Sequence, residues 1–214
     1  MRLFFLDACA VARRYFDDIG SGNIRQLFEM ADSLALAPEI VKPEVVSALI
    51  SSYNGRFISR EEMSNALLLF EKDLRESHLL VWEMYDRHFD EAVDVLKRHK
   101  IVEEGEPGGG KAGIGGADAL YLAMASELSE RGRTQGDPLI FVTADRALYR
   151  CACDEPGLEV FHFWSCQCPQ CGKVFIPRKG LENTCEGCGW VCTRCAVENC
   201  QSELNVEGTL FGGR

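Results

Sequence analysis

What the chain lacks sets the first bounds. No apolar run in its 214 residues approaches the ~18–20 residues that cross a bilayer as a helix, so no membrane span is expected. The opening Met1-Arg2-Leu3-Phe4-Phe5-Leu6 starts like a secretory leader, but Asp7 and then Arg13 and Arg14 interrupt it too soon. A cytoplasmic protein is expected. Positive charge is scarce: 23 Lys+Arg stand against 33 Asp+Glu, a net of −10. The deficit lies in residues 1–165, with 18 basic and 28 acidic side chains, whereas 166–214 carries 5 of each. Such an acidic body is a poor unaided binder of polyanions and leaves room only for a local basic strip. Histidine is sparse too. His78, His88, His99 and His162 fall in no recognisable constellation and read as surface or helix residues.

What is present is enough apolar material for a packed core, at 46% of residues. The length suits one large domain, or one of ordinary size with an appendage. Four short segments each carry an acid where an acid is otherwise out of place. They are Leu3-Phe4-Phe5-Leu6-Asp7, Pro43-Glu44-Val45-Val46, Gly115-Gly116-Ala117-Asp118-Ala119-Leu120, and Leu139-Ile140-Phe141-Val142-Thr143-Ala144-Asp145. The first and last are continuous apolar runs of the length of buried parallel strands. Parallel sheets gather functional groups at the carboxyl ends of their strands, where Asp7 and Asp145 fall. Glu44 and Asp118 lie in the first turns of apolar helical patterns. Four carboxylates meeting there would repel one another unless a cation neutralised them. Hard divalent ions such as Mg²⁺ or Mn²⁺ take oxygen ligands of this kind. Each acid alone also has a plain reading as a helix-start or capping charge.

Strands and helices alternate, which implies an α/β parallel sheet flanked by helices. Strands are expected at Leu3–Leu6, Leu34–Ala37, Leu139–Thr143 and Leu158–Phe163. Helices are expected at Ala8–Phe16, Asn23–Ser33, Pro43–Ser52, from Arg60, His88–His99, Ala117–Glu130 and Arg146–Ala152. Ser59-Arg60-Glu61-Glu62 has the capping-box pattern, and Arg131–Pro138 reads as turn-rich. Glu103–Gly116 reads as a glycine-rich loop. Within it, Gly105–Ala112 nearly matches a phosphate-binding loop, but Ala112 replaces the hydroxyl residue and no buried strand precedes it.

The acidic segments together resemble the PIN-domain ribonucleases, particularly the VapC-type toxins, over residues 1–162. The stretches that carry the resemblance are Leu6-Asp7-Ala8-Cys9-Ala10, Ala117-Asp118-Ala119-Leu120-Tyr121-Leu122-Ala123 and Val142-Thr143-Ala144-Asp145-Arg146-Ala147-Leu148. It implies metal-dependent hydrolysis of single-stranded RNA, with Asp7, Glu44, Asp118 and Asp145 around one or two Mg²⁺ or Mn²⁺. Thr143 matches the family's hydroxyl residue near the last acid. Toxin resemblance also implies an antitoxin partner, and homodimers are common in that family. One departure stands out: Ala8-Cys9 replaces the frequent Thr-Ser, so a hydroxyl beside the first acid is missing. Arg13, Arg14, Arg146 and Arg150 follow two of the acids and are candidates for phosphate contact, with pairing to Asp17 or Asp18 as the alternative.

Eight of the eleven cysteines lie between Cys166 and Cys200. In a cytoplasmic chain such clustering points to metal more than to disulfides. Cys168-Pro169-Gln170-Cys171-Gly172 and Cys185-Glu186-Gly187-Cys188-Gly189 are two C-x₂-C-G knuckles, and the segment resembles a zinc ribbon with one Zn²⁺ on four thiolates. Cys166, Cys192, Cys195 and Cys200 could hold a second Zn²⁺ or join a cross-braced set. The expected organisation is a PIN-like nuclease domain over 1–162, a zinc ribbon over 163–203 and a tail over 204–214. PIN plus zinc ribbon is also the architecture of endonucleases that mature small-subunit ribosomal RNA, which brings in the ribosome as a partner. The competing class is a non-catalytic module that binds through the ribbon.

Overall fold

The computed structural model describes residues 1–18, 20–100, 113–168, 170–171, 174–176, 183–184 and 191–192. Five parallel strands form the central sheet: β1 (Arg2–Leu6), β2 (Ser33–Pro38), β3 (Leu79–Trp82), β4 (Leu139–Thr143) and β5 (Glu159–His162), in the order β3-β2-β1-β4-β5. The helices are α1 (Ala8–Ala12), α2 (Ser21–Glu29), α3 (Val41–Asn54), α4 (Arg60–Arg75), α5 (Asp86–Lys100), α6 (Gly116–Gln135) and α7 (Arg146–Asp154). The α/β expectation holds.

The strands are apolar on both sides because both sides are covered. Phe4, Leu6, Ile140, Val142 and Phe161 pack under α1 to α4. Phe5, Leu36, Leu139 and Phe141 pack on the opposite face, with Val95 of α5, Leu122 of α6 and Leu148 of α7. Strand order runs outward from β1 to β3, then returns to β4 and β5 on the other side. The direction of winding therefore changes between β1 and β4, where an open parallel sheet leaves a crevice at its carboxyl edge.

Several element boundaries differ from expectation for identifiable reasons. Helix α1 stops at Ala12, and the chain continues in tighter turns: Arg13, Arg14 and Tyr15 donate to the carbonyls of Ala10, Val11 and Ala12. Arg14 and Tyr15 are drawn to the buried Asp73 of α4 instead. Helix α6 runs five residues past Glu130, to Gln135. Gly132 is there for packing, since a Cβ would sit 2.3 Å from the Asp137 carbonyl, while Gly136, at φ +79°, ends the helix. Strand β3 was not expected. The predicted capping box at Ser59 is present, with Ser59 N–H on Glu62 Oε2 at 2.6 Å and Glu62 N–H on Ser59 Oγ at 3.1 Å. The near match at Gly105–Ala112 lies outside the described residues.

Beyond β5 the chain remains fastened to the body. Asn23 Nδ2 donates to the carbonyls of Phe163 (2.8 Å) and Ser165 (3.2 Å). Phe163, Ser165 and Cys168 are buried. Two short antiparallel pairs follow, β6 (Cys166–Gln167) with β7 (Val174–Phe175), and β8 (Asn183–Thr184) with β9 (Val191–Cys192). Among the described residues no helix is long and apolar enough to cross a membrane.

Candidate functional site

The site is assembled at the carboxyl edge between β1 and β4. Asp7 follows β1 directly, and its amide still pairs with the Val142 carbonyl of β4 at 3.1 Å. Its carboxylate therefore has no choice but to stand at the crevice. It also caps α1, with Oδ1 accepting from the Ala10 amide at 2.7 Å. Oδ2 accepts from the Thr143 hydroxyl at 2.5 Å and from the Cys9 thiol at 3.2 Å. Asp7 is only 4% exposed. Burial pushes its pKa up to about 6, the charge of Asp118 adds to this, and the three hydrogen bonds oppose it.

Glu44, in the first turn of α3, accepts the Tyr121 hydroxyl on Oε2 at 2.7 Å. Its pKa is raised, first by burial and then by Asp118, against the Tyr121 hydrogen bond. Asp118, in the first turn of α6, turns Oδ2 back onto the Gly115 amide at 2.7 Å. Asp145 caps α7, with Oδ1 taking the amides of Ala147 and Leu148, both at 2.8 Å. The Asp145 amide donates to Thr143 Oγ1 at 3.0 Å. Thr143, fully buried, thus links the segment of Asp145 to the carboxylate of Asp7.

Asp7, Glu44 and Asp118 lie within one another's electrostatic reach through Asp118, and Asp145 joins them through Thr143. Each acid also performs the plain helix-start role. With their oxygens turned to protein donors, the carboxylates do not close on a common point: among the described residues no group of three or more His, Cys, Asp or Glu is placed to hold an ion. The donor set nevertheless fits a hard divalent cation. All its donors are oxygens, burial and mutual repulsion already raise two of the acids, and no Lys or Arg among the described residues pairs with Asp7, Glu44 or Asp118.

The other predicted residues separate. Arg13 pairs with Asp18 at 2.8 Å and Arg14 with Asp73, so both serve the body. Arg146 and Arg150 are exposed on α7, beside Asp145. Sequence reasoning missed Tyr121, whose hydroxyl crosses from α6 to Glu44. It also missed that His78, His88 and His99 each face a carboxylate: Asp73, Glu127 and Glu155. His162 is buried between the rings of Tyr149 and Trp164, and burial pushes it down to about 4. Of the tail cysteines, Cys168 is buried and Cys171 exposed. Cys166 and Cys192 lie on β6 and β9, while Cys185, Cys188, Cys195 and Cys200 fall outside the described residues.

The PIN domain family model matches residues 4–152, and the chain belongs to that family. PIN domains are generally metal-dependent nucleases. No curated protein matches the sequence. Solved structures resembling the chain include VapBC2 from Rickettsia felis bound to a DNA fragment from their promoter, at 14% identity and a TM-score of 0.43, covering 74% of this chain and 97% of that one. PAE2754 from Pyrobaculum aerophilum is 16% identical with a TM-score of 0.43, covering 74% and 89%. A domain of a functionally unknown protein from Methanocaldococcus jannaschii is 19% identical with a TM-score of 0.34, covering 75% and 90%.

Proposed function

We propose that the protein is an endoribonuclease that hydrolyses RNA phosphodiester bonds with Mg²⁺ or Mn²⁺ held by Asp7, Glu44, Asp118 and Asp145. The observation that carries this reading is Asp7: a buried carboxylate at the point where the sheet reverses its winding, with Asp118 in electrostatic reach and no cation paired to it among the described residues. A carboxylate in that position is expensive to keep unless something charged comes to it. The bound ions supply a nucleophilic water at neutral pH and charge stabilisation for the reacting phosphate. The chain supplies position. Thr143 holds Oδ2 of Asp7 and the backbone of Asp145 in one frame, and Tyr121 holds Glu44. Arg146 and Arg150 lie on the same edge, where phosphate oxygens of a single strand would pass. The choice of RNA rests on the sequence resemblance to VapC-type ribonucleases, which also makes an antitoxin partner and a homodimer part of the proposal.

The Cys-rich segment is proposed as a zinc ribbon that recognises RNA or a partner. In support, the two C-x₂-C-G knuckles fall in the sequence between the strands of an antiparallel pair: Cys168 and Cys171 between β6 and β7, Cys185 and Cys188 between β8 and β9. That is where a thiolate pair is brought together by a turn. If the ribbon serves a ribosomal RNA, the same nuclease would act in its maturation. The test is incubation of an unstructured RNA and its DNA counterpart with the full-length protein in Mn²⁺, in EDTA, and with Asp7→Asn. Internal cleavage of RNA that needs both the metal and Asp7 supports the reading. Equal cleavage in EDTA defeats it, and binding without cleavage favours the non-catalytic module.

A further inference from the structure

The segment Ala8-Cys9, where related sequences often carry Thr-Ser, lacks the hydroxyl expected beside the first acid. The structure puts a different donor in that place. Cys9 lies in the first turn of α1, two residues after Asp7, and its Sγ is 3.2 Å from Asp7 Oδ2. The same oxygen takes the Thr143 hydroxyl. A carboxylate oxygen offers about two lone-pair positions. Thr143 and Cys9 fill those of Oδ2, whereas Oδ1 accepts only the Ala10 amide among the described residues and keeps one open.

We infer that Cys9 is a positioning residue for the metal site: with Thr143 it commits Asp7 Oδ2 to the protein and leaves Oδ1 to face the cation. This rests on the proposed role of Asp7 as a metal ligand. The geometry makes the thiol a donor rather than a ligand or nucleophile. Cys9 is half-buried, and its sulfur is turned onto the Asp7 carboxylate rather than into the crevice's open side. A thiol is a weaker donor than a hydroxyl. Cys9 therefore orients Asp7 while withdrawing less charge from it than serine would, and Thr143 carries most of the stabilisation.

Outer contacts that orient a metal ligand typically change affinity by 10–100-fold, and a thiol donor belongs at the lower end, about tenfold. The test is Mn²⁺ binding to the full-length, chelator-treated protein, read by the loss of the free Mn²⁺ electron-spin signal, for wild type, Cys9→Ser, Cys9→Val, Cys9→Ala and Asp7→Asn. Cys9→Ser should bind Mn²⁺ about as tightly as wild type, because it keeps a donor to Asp7 Oδ2. Cys9→Val and Cys9→Ala should both bind about tenfold more weakly. The alanine variant covers the case in which valine disturbs packing. Wild-type affinity in both overturns the inference, as does an equal loss in Cys9→Ser, which would mark a packing role. Asp7→Asn separates the two levels. If it binds as wild type does, the metal reading of Asp7 fails and the role of Cys9 fails with it. If it alone loses binding, the reading of Asp7 stands and only Cys9 is struck out.

Discussion

Two sets of carboxylates in this molecule are treated in opposite ways. Away from the carboxyl edge of the sheet, the buried and half-buried acids of the helical layers are paired with cations among the described residues. Glu127 meets Arg87, Arg131 and His88, Glu155 meets Arg98 and His99, and Asp73 meets Arg14 and His78. Burial alone would raise Glu127 and Asp73, but their partners outweigh it and hold both below the usual carboxylate range. At the carboxyl edge of the sheet, Asp7 and Glu44 meet only neutral donors among the described residues, and both are raised. The first set stabilises the fold with charge the protein already owns. The second is left in deficit at a crevice, which is the contrast the proposed cation site rests on.

The largest expected effect of breaking this contrast is on catalysis. Asp7→Asn keeps the shape and removes the charge, and cleavage of RNA in Mn²⁺ should be abolished while the far-ultraviolet spectrum is unchanged. Cleavage at the wild-type rate would remove Asp7 from the site. The same substitution should stabilise the metal-free protein. A pKa raised from 3.8 to about 6 means that the native state holds the proton more tightly than the unfolded chain does. The resulting stabilisation is complete below about pH 3.8 and is lost as pH rises through about 6. At neutral pH the ionised Asp7 is thus a burden of roughly 3 kcal/mol. Denaturant unfolding in EDTA should show Asp7→Asn more stable at pH 7 by about 1–3 kcal/mol, the amide spending part of the gain on a mismatch with Thr143. The gain should vanish near pH 4.

Asp73→Asn should do the reverse. A lowered carboxylate pKa contributes stability above the unfolded value, lost as pH falls through the native one. Removing hydrogen bonds from a buried charge costs about 1.5–3 kcal/mol, so urea unfolding at pH 7 should show a loss of that order that shrinks in acid. If both substitutions changed stability in the same direction, the contrast between the two sets would be wrong. The smallest effect is expected at Tyr121→Phe, which removes one hydrogen bond to Glu44. It should raise the Mn²⁺ concentration needed for half-maximal cleavage by about tenfold, at roughly 1.4 kcal/mol per factor of ten, with little change in the rate at saturation.

What could be read in the sequence was what depends on neighbours in the chain. Asp7 and Asp145 were legible because each follows a strand of continuous apolar residues, and the Ser59 cap because its partner is three residues away. Tyr121 reads in the sequence only as part of the stretch around Asp118 that carries the family resemblance, with no sign of its own role, since its partner lies 77 residues away. The neutralisation of Asp73 by Arg14 spans 59 residues and was equally hidden. Strand β3 escaped because Leu79–Trp82 is a short edge strand, only partly buried after Leu79, entered through Ser77 at φ 58° with no glycine or proline to mark the turn. Gly132 and Gly136 looked alike as turn signals. Packing against the Asp137 carbonyl marks Gly132 as the one inside the helix, and the left-handed φ of +79° marks Gly136 as the one that ends it.

The central claim is that the deficit of positive charge at Asp7, Glu44 and Asp118 is filled from outside. Diffraction from crystals of the full-length protein soaked in Mn²⁺, recorded where manganese scatters anomalously, tests it most directly. The account predicts a peak bounded by Asp7 Oδ1, Glu44, Asp118 and Asp145, with Asp118 released from the Gly115 amide. Manganese seated only among Glu127, Glu130 and Glu155, with the sheet edge empty, would contradict it.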